Sequence, residues 1–98
     1  MININSVGFK ADAKLEEIIE KKVTKLMPLY DKVQGADVTL RIDAKEKVAN
    51  KITEVRLTVP GDDLFAKKQC DTFEEGIDDC VEAIRRQVVK RKDKIIGK

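Results

Sequence analysis

Residues 36–70 read ADVTLRIDAKEKVANKITEVRLTVPGDDLFAKKQC, and they decide the fold. Over 36–43, Val38, Leu40 and Ile42 alternate with Asp37, Thr39, Arg41 and Asp43, the period of a half-buried strand. Over 52–59, Val55, Leu57 and Val59 alternate with Glu54, Arg56 and Thr58 in the same way. Pro60-Gly61-Asp62 is a tight-turn sequence that leads into a strand over 63–70, with Leu64, Ala66 and Cys70 on one face. Lys68 shares that face, which predicts an edge strand or a bulge. Three one-sided strands in succession predict an antiparallel sheet with one covered face.

Working outward, residues 2–8 read as a further strand: Ile2 and Ile4 alternate with Asn3 and Asn5, and the parity then slips towards Val7 and Gly8. Asp12 is a good N-cap for a helix over 13–28, with Leu15, Ile18, Ile19, Val23, Leu26 and Met27 on its apolar side, and Pro28 closes this helix or its final turn. Asp71 or Thr72 caps a helix over 72–96, with Glu74 or Glu75 completing a capping box. Its apolar stripe runs Phe73, Ile77, Cys80/Val81, Ile84, Val88, Ile95. The expected class is α+β in the order β-α-β-β-β-α: a four-stranded, mostly antiparallel sheet with two roughly parallel helices on one face. The first two strands, joined through a helix, should run parallel with a right-handed crossover. Strand four points the same way, so the C-terminal ends of both helices should meet at one edge of the sheet. A helix over 72–96 spans about 36 Å against about 26 Å for an eight-residue strand, so roughly its last two turns, which carry Arg91 to Lys94, should project beyond the core.

Composition narrows the function. Ninety-eight residues make one domain, 1–98, and with 42% hydrophobic but only 4% aromatic residues its core is aliphatic. Twenty basic and 18 acidic residues leave a net charge of +2, so any polyanion contact must come from local clustering. The N-terminus lacks the apolar run of a signal peptide and no segment approaches membrane-spanning length. Cys70 and Cys80 read as reduced structural thiols of a cytoplasmic protein, and without histidine no zinc site, metal or cofactor is expected. Asp62-Asp63 and Asp78-Asp79 read as turn and solvated-face residues, and no nucleophile has an activating base, so catalysis is not expected.

The last helix changes charge sign halfway. Asp71, Glu74, Glu75, Asp78, Asp79 and Glu82 are followed by Arg85, Arg86, Lys90, Arg91, Lys92 and Lys94, with Asp93 alone dissenting. The helix dipole favours this polarity, but one or two cations would satisfy it. Six within ten residues repel one another unless a polyanion neutralises them. By helical angle Arg91 lies in the apolar stripe, as Lys22 does on the first helix, and both heads should emerge at the edge where Lys21, Lys22 and Lys25 meet the second cluster. Arg41, Arg56 and Lys67 beside Glu54 and Asp43 make the outward sheet face a mixed surface, with Phe65 a lone aromatic.

These residues resemble the ribosome hibernation promoting factors, a family also called ribosome-associated inhibitors and sigma factor modulation proteins. The resemblance spans essentially the whole chain and rests on Arg86-Gln87-x-x-Lys90-x-Lys92-Asp93-Lys94, Lys22-x-x-Lys25-Leu26, Tyr30-Asp31 and Asp71-x-Phe73-x-x-x-Ile77-Asp78. It implies a fold similar to a double-stranded RNA-binding domain and a short-form factor, without an acidic tail or a dimerising domain. It further implies binding to the small ribosomal subunit in the messenger and transfer RNA channel, silencing translation in starved cells. The RNA-binding residues implied are Lys22, Lys25, Arg86, Lys90, Lys92 and Lys94, with Arg85 and Arg91 as basic additions. The expected partners are the ribosome and its RNA, with no membrane and no small-molecule substrate, and the protein off the ribosome is expected to be a monomer. The alternative is a protein–protein regulator, for example of transcription, that uses the acidic half of the last helix. Lys67 and Lys68 have no assigned contact.

Overall fold

In a computed structural model, which describes the backbone of residues 2–97 and the side chains of residues 2–91, the order is β-α-β-β-β-α. The elements are β1 (Ile2–Val7), α1 (Ala13–Thr24), a 3-10 turn (Met27–Leu29), β2 (Gly35–Ile42), β3 (Lys51–Thr58), β4 (Leu64–Cys70) and α2 (Phe73–Gly97). Period-two sequences pair in register. β1 runs parallel to β2, β2 antiparallel to β3 and β3 antiparallel to β4, and Ile4, Val38, Val55 and Ala66 form one row across the inner face. A second row, Ile2, Ala36, Leu57 and Leu64, lies beside it. α2 packs over β3 and β4, with α1 beside it over β1. Ile19, Val23 and Leu26 from the first helical stretch and Ile77, Cys80, Ile84 and Val88 from α2 are fully buried against these rows.

β1 and β4 point the same way, so the helices that follow them both start at one end of the sheet and run parallel. Phe9, ahead of α1, stacks on Phe73 at the start of α2, with ring centroids 5.1 Å apart, and ties those starting ends together. Asp12 caps α1 as expected, accepting from the Leu15 N–H at 2.8 Å. At α2 the cap is Thr72, whose hydroxyl accepts from the Glu75 N–H at 3.1 Å. Asp71 instead accepts from the Ala49 N–H at 2.9 Å and tethers the β2–β3 loop.

Local details differ from the sequence reading. The alternation of β1 does not slip: Ser6 stays on the inner side, its hydroxyl accepting from the Ala11 N–H, and Val7 is outward and 52% exposed. α1 ends at Thr24, because Pro28 disfavours α geometry at Met27 and the last turn tightens into i→i−3 bonds, Leu26 N to Val23 O and Leu29 N to Leu26 O. Ile42 sits in the terminal row of the sheet, with Lys51 and Cys70, at the margin of the core, and is exposed. β4 is an unbulged edge strand, which lets Lys68 reach solvent from the inner side. Both thiols are free, and burial pushes that of Cys80 up to about 12, so it stays protonated.

Candidate nucleic-acid interface

The second half of α2 is held against the sheet by two polar side chains. The Gln87 amide donates to the Phe65 carbonyl at 2.9 Å and accepts from the Phe65 N–H at 3.3 Å. Arg91 donates to the Asp62 carbonyl at 2.9 Å and the Pro60 carbonyl at 3.5 Å, on the β3–β4 turn. These contacts fix the azimuth of the helix, so Arg86, Val89 and Lys90, at i, i+3 and i+4, share the exposed face. With Arg85 and Gln87 they line a shallow concavity of about 400 Å³.

Arg91 is therefore not the projecting cation that its helical phase and the length of α2 predict. It is half-buried and spends its donors on the turn. The α2 backbone continues to Gly97, about 9 Å past Arg91 at 1.5 Å per residue. The side chains of Lys92 and Lys94, both in the expected site, lie outside the described residues, as does that of Ile95.

The acidic half of the same helix reaches the expected cations. Lys22 Nζ lies 2.7 Å from Asp78 Oδ1, across the seam between the helices. Glu82 takes Arg85 in a fork, 2.6 and 2.8 Å to Nη2, with Nε at 3.2 Å, and Arg86 Nε lies 3.5 Å away. The Arg85 hydrogen bond holds the Glu82 carboxyl below the usual glutamate value, and Glu82 in turn raises the Arg85 guanidinium. Both residues are exposed, so phosphate oxygens can compete for these donors.

The Lys22–Asp78 pair also sets the offset between the helices. Lys25, exposed at the C-cap of α1, is level with about Val81, and Lys90 lies about 13 Å further along α2. The two cationic sets are thus staggered along one direction instead of meeting at one level. Sequence reasoning missed the partners that shape the site, among them the Pro60 and Asp62 carbonyls that hold Arg91. Glu82 was legible from its i−3 and i−4 spacing to Arg85 and Arg86, whereas Asp78 and the Phe65 peptide group depend on long-range packing.

What remains is an open surface of exposed cations on a rigid rod, suited to the regularly spaced phosphates of an RNA backbone. Among the described residues no three carboxylate or thiol groups cluster as a metal site, and no helix is long and apolar enough to cross a membrane.

Comparison with known proteins agrees with this architecture. The ribosome hibernation promoting factor of Escherichia coli (strain K12) is 27% identical over 94 residues, covering 96% of this chain and 95% of that protein. A ribosomal subunit interface protein from Coxiella burnetii superimposes with a TM-score of 0.80 at 22% identity, over 93% of this chain and 96% of that one. The N-terminal domain of Thermus thermophilus Protein Y superimposes with a TM-score of 0.73 at 20% identity, over 88% and 91%. Residues 2–96 match the family described as Sigma 54 modulation protein / S30EA ribosomal protein, and the chain belongs to that family.

Proposed function

We propose that this protein is a ribosome hibernation factor. It binds the small ribosomal subunit through phosphate contacts from the basic half of α2 and the end of α1, and it represses translation by occupying the channel used by messenger and transfer RNA. The observation that carries the reading is the exposed Arg86–Val89–Lys90 face on a helix clamped to the sheet by Gln87 and Arg91. The similarity to proteins named ribosome hibernation promoting factor supports it. Lys25 extends the cationic track, and Lys92 and Lys94 follow in sequence. Arg85 and Lys22 can join once phosphate displaces Glu82 and Asp78. Recognition is of backbone shape and charge, since side chains cannot read the deep groove of A-form RNA. The protein acts by occupancy as one ribosome-binding domain, in the cytoplasm, and catalyses nothing. The transcription-regulator reading loses ground, because Asp78 and Glu82 of the acidic half are already engaged within the molecule.

Cosedimentation with ribosomes tests this. With about six phosphate contacts, affinity should fall by roughly 10³ between 50 and 200 mM salt. Replacing Arg86, Lys90 and Lys92 with glutamate should abolish cosedimentation and leave the fold intact, as read from the circular dichroism spectrum. A folded triple variant that still sediments with ribosomes at the wild-type salt dependence would refute the proposed interface.

A further inference from the structure

The two edges of the sheet are finished differently. Along β4, the main-chain groups of Phe65 are taken by the Gln87 side chain, and Lys68 sets a charge on the core-facing side, a device that opposes strand addition. β1, at the other edge, reads ININSV, with no charge and no proline. Among the described residues no side chain hydrogen-bonds to its main chain.

Beside that bare edge runs a trough. Two adjoining concavities, of about 670 and 540 Å³, share Ile2, Glu17 and Glu20 and lie between β1 and α1. Ile2 and Ile4, both only half-buried, form the floor, and Glu16, Glu17 and Glu20 form the helical wall. Lys14 and Lys21 line it as well, so the three carboxylates face two ammonium groups and the trough keeps a net negative charge of one. None of the three glutamates makes an ion pair among the described residues, unlike Asp78 and Glu82 on α2.

The geometry points to this trough as a docking site for an extended, lysine- or arginine-bearing protein segment that adds to β1 as a fifth strand. Such a strand would pair with the free N–H and C=O groups of β1, which spans about 20 Å over its six residues. Alternate side chains of the added strand would lie over the trough. A lysine or arginine there can rest its stem on Ile2 and Ile4 and bring its head to the glutamates, which an aliphatic side chain cannot. The intervening positions would face solvent beside Asn3 and Asn5, where small polar residues fit.

Charge decides between occupants. An RNA backbone would meet the carboxylates of α1 with like charge. A second copy of the chain would bring a strand with no cation and a second acidic wall. A basic extended segment complements both the edge and the wall. This inference stands apart from the RNA-binding reading, since β1 and Glu16, Glu17 and Glu20 take no part in the proposed RNA interface, although the trough ends at Lys21 and Thr24, next to Lys22 and Lys25.

The test is amide NMR of the ¹⁵N-labelled chain titrated with an acetylated, amidated heptapeptide, KTKVKTK. Shifts should concentrate at Ile2–Val7 and Glu16–Glu20. A peptide of the same composition with its lysines contiguous should bind at least about fivefold more weakly, because it cannot place them on one face of a strand. Glu17→Lys together with Glu20→Lys should weaken binding at least about tenfold. Both positions are exposed, so the variant's remaining amide spectrum should be unchanged, confirming its fold. The proposal is overturned by shifts at Asp71–Glu82 instead of β1, by equal affinity for the two peptides, or by no binding. It is also overturned if β1 amides move on raising the protein concentration alone, or on adding an RNA oligonucleotide.

Discussion

Residue 76 shows how closely the core is fitted. Gly76 lies in α2 against β3, and a Cβ built there would sit 2.4 Å from Thr53 Oγ1 and 3.0 Å from Thr53 Cβ. A glycine inside a helix costs about 1 kcal/mol relative to alanine, so in an open helix the exchange would stabilise. Here it collides with the Thr53 side chain, which must turn or push the helix off the strand. Thr53 is fully buried, and its hydroxyl has no hydrogen-bond partner among the described residues, so it contributes volume and little else. Gly76→Ala should therefore lower the unfolding free energy by about 1–3 kcal/mol in urea titrations. Combining it with Thr53→Ala should recover about 1 kcal/mol relative to the sum of the single variants. Strict additivity would show that the clash is not the cause.

At the scale of elements, α2 depends on where its side chains find partners. Arg91→Gln removes the charged donor to the Pro60 and Asp62 carbonyls and should cost about 1 kcal/mol of stability. It should leave the slope of log affinity against log salt for ribosome binding unchanged, whereas loss of a phosphate contact would reduce it by about 0.9. A reduced slope would return Arg91 to the interface. The strands were legible in the sequence to within a residue or so, because Val38, Leu40, Val55 and Leu57 keep strict alternation. Ile42 keeps it too and is exposed, since period says nothing about where a sheet runs out of cover. The end of α1 was legible only in part: Pro28 marks the final turn, but the tightening of that turn into i→i−3 bonds leaves no trace in the apolar pattern, which runs on through Leu26 and Met27. The exposure of Arg86 and Lys90 followed from helical phase, but Arg91 shares the phase of buried residues and its partners come from a turn about thirty positions away.

At the scale of the molecule, the described residues place exposed cations along the basic half of α2 and a mixed, net acidic trough beside β1. The proposed steric plug would act by stoichiometry. Inhibition of an in vitro translation reaction should saturate near one protein per ribosome, and inhibition far below one equivalent would mean turnover and defeat the occupancy mechanism. The sign change along α2 adds something the net charge of +2 conceals. A rigid rod with carboxylates at one end and ammonium and guanidinium groups at the other is a large dipole, and a dipole feels torque in a field even when its total charge is small. The contribution of α2 to that torque favours approach to a polyanion basic end first. Much of the orientational search that slows protein association is then completed in solution, over distances up to the Debye length, about 8 Å at physiological salt. On the proposed reading the acidic half of α2 would aim the molecule, although it need never meet the RNA.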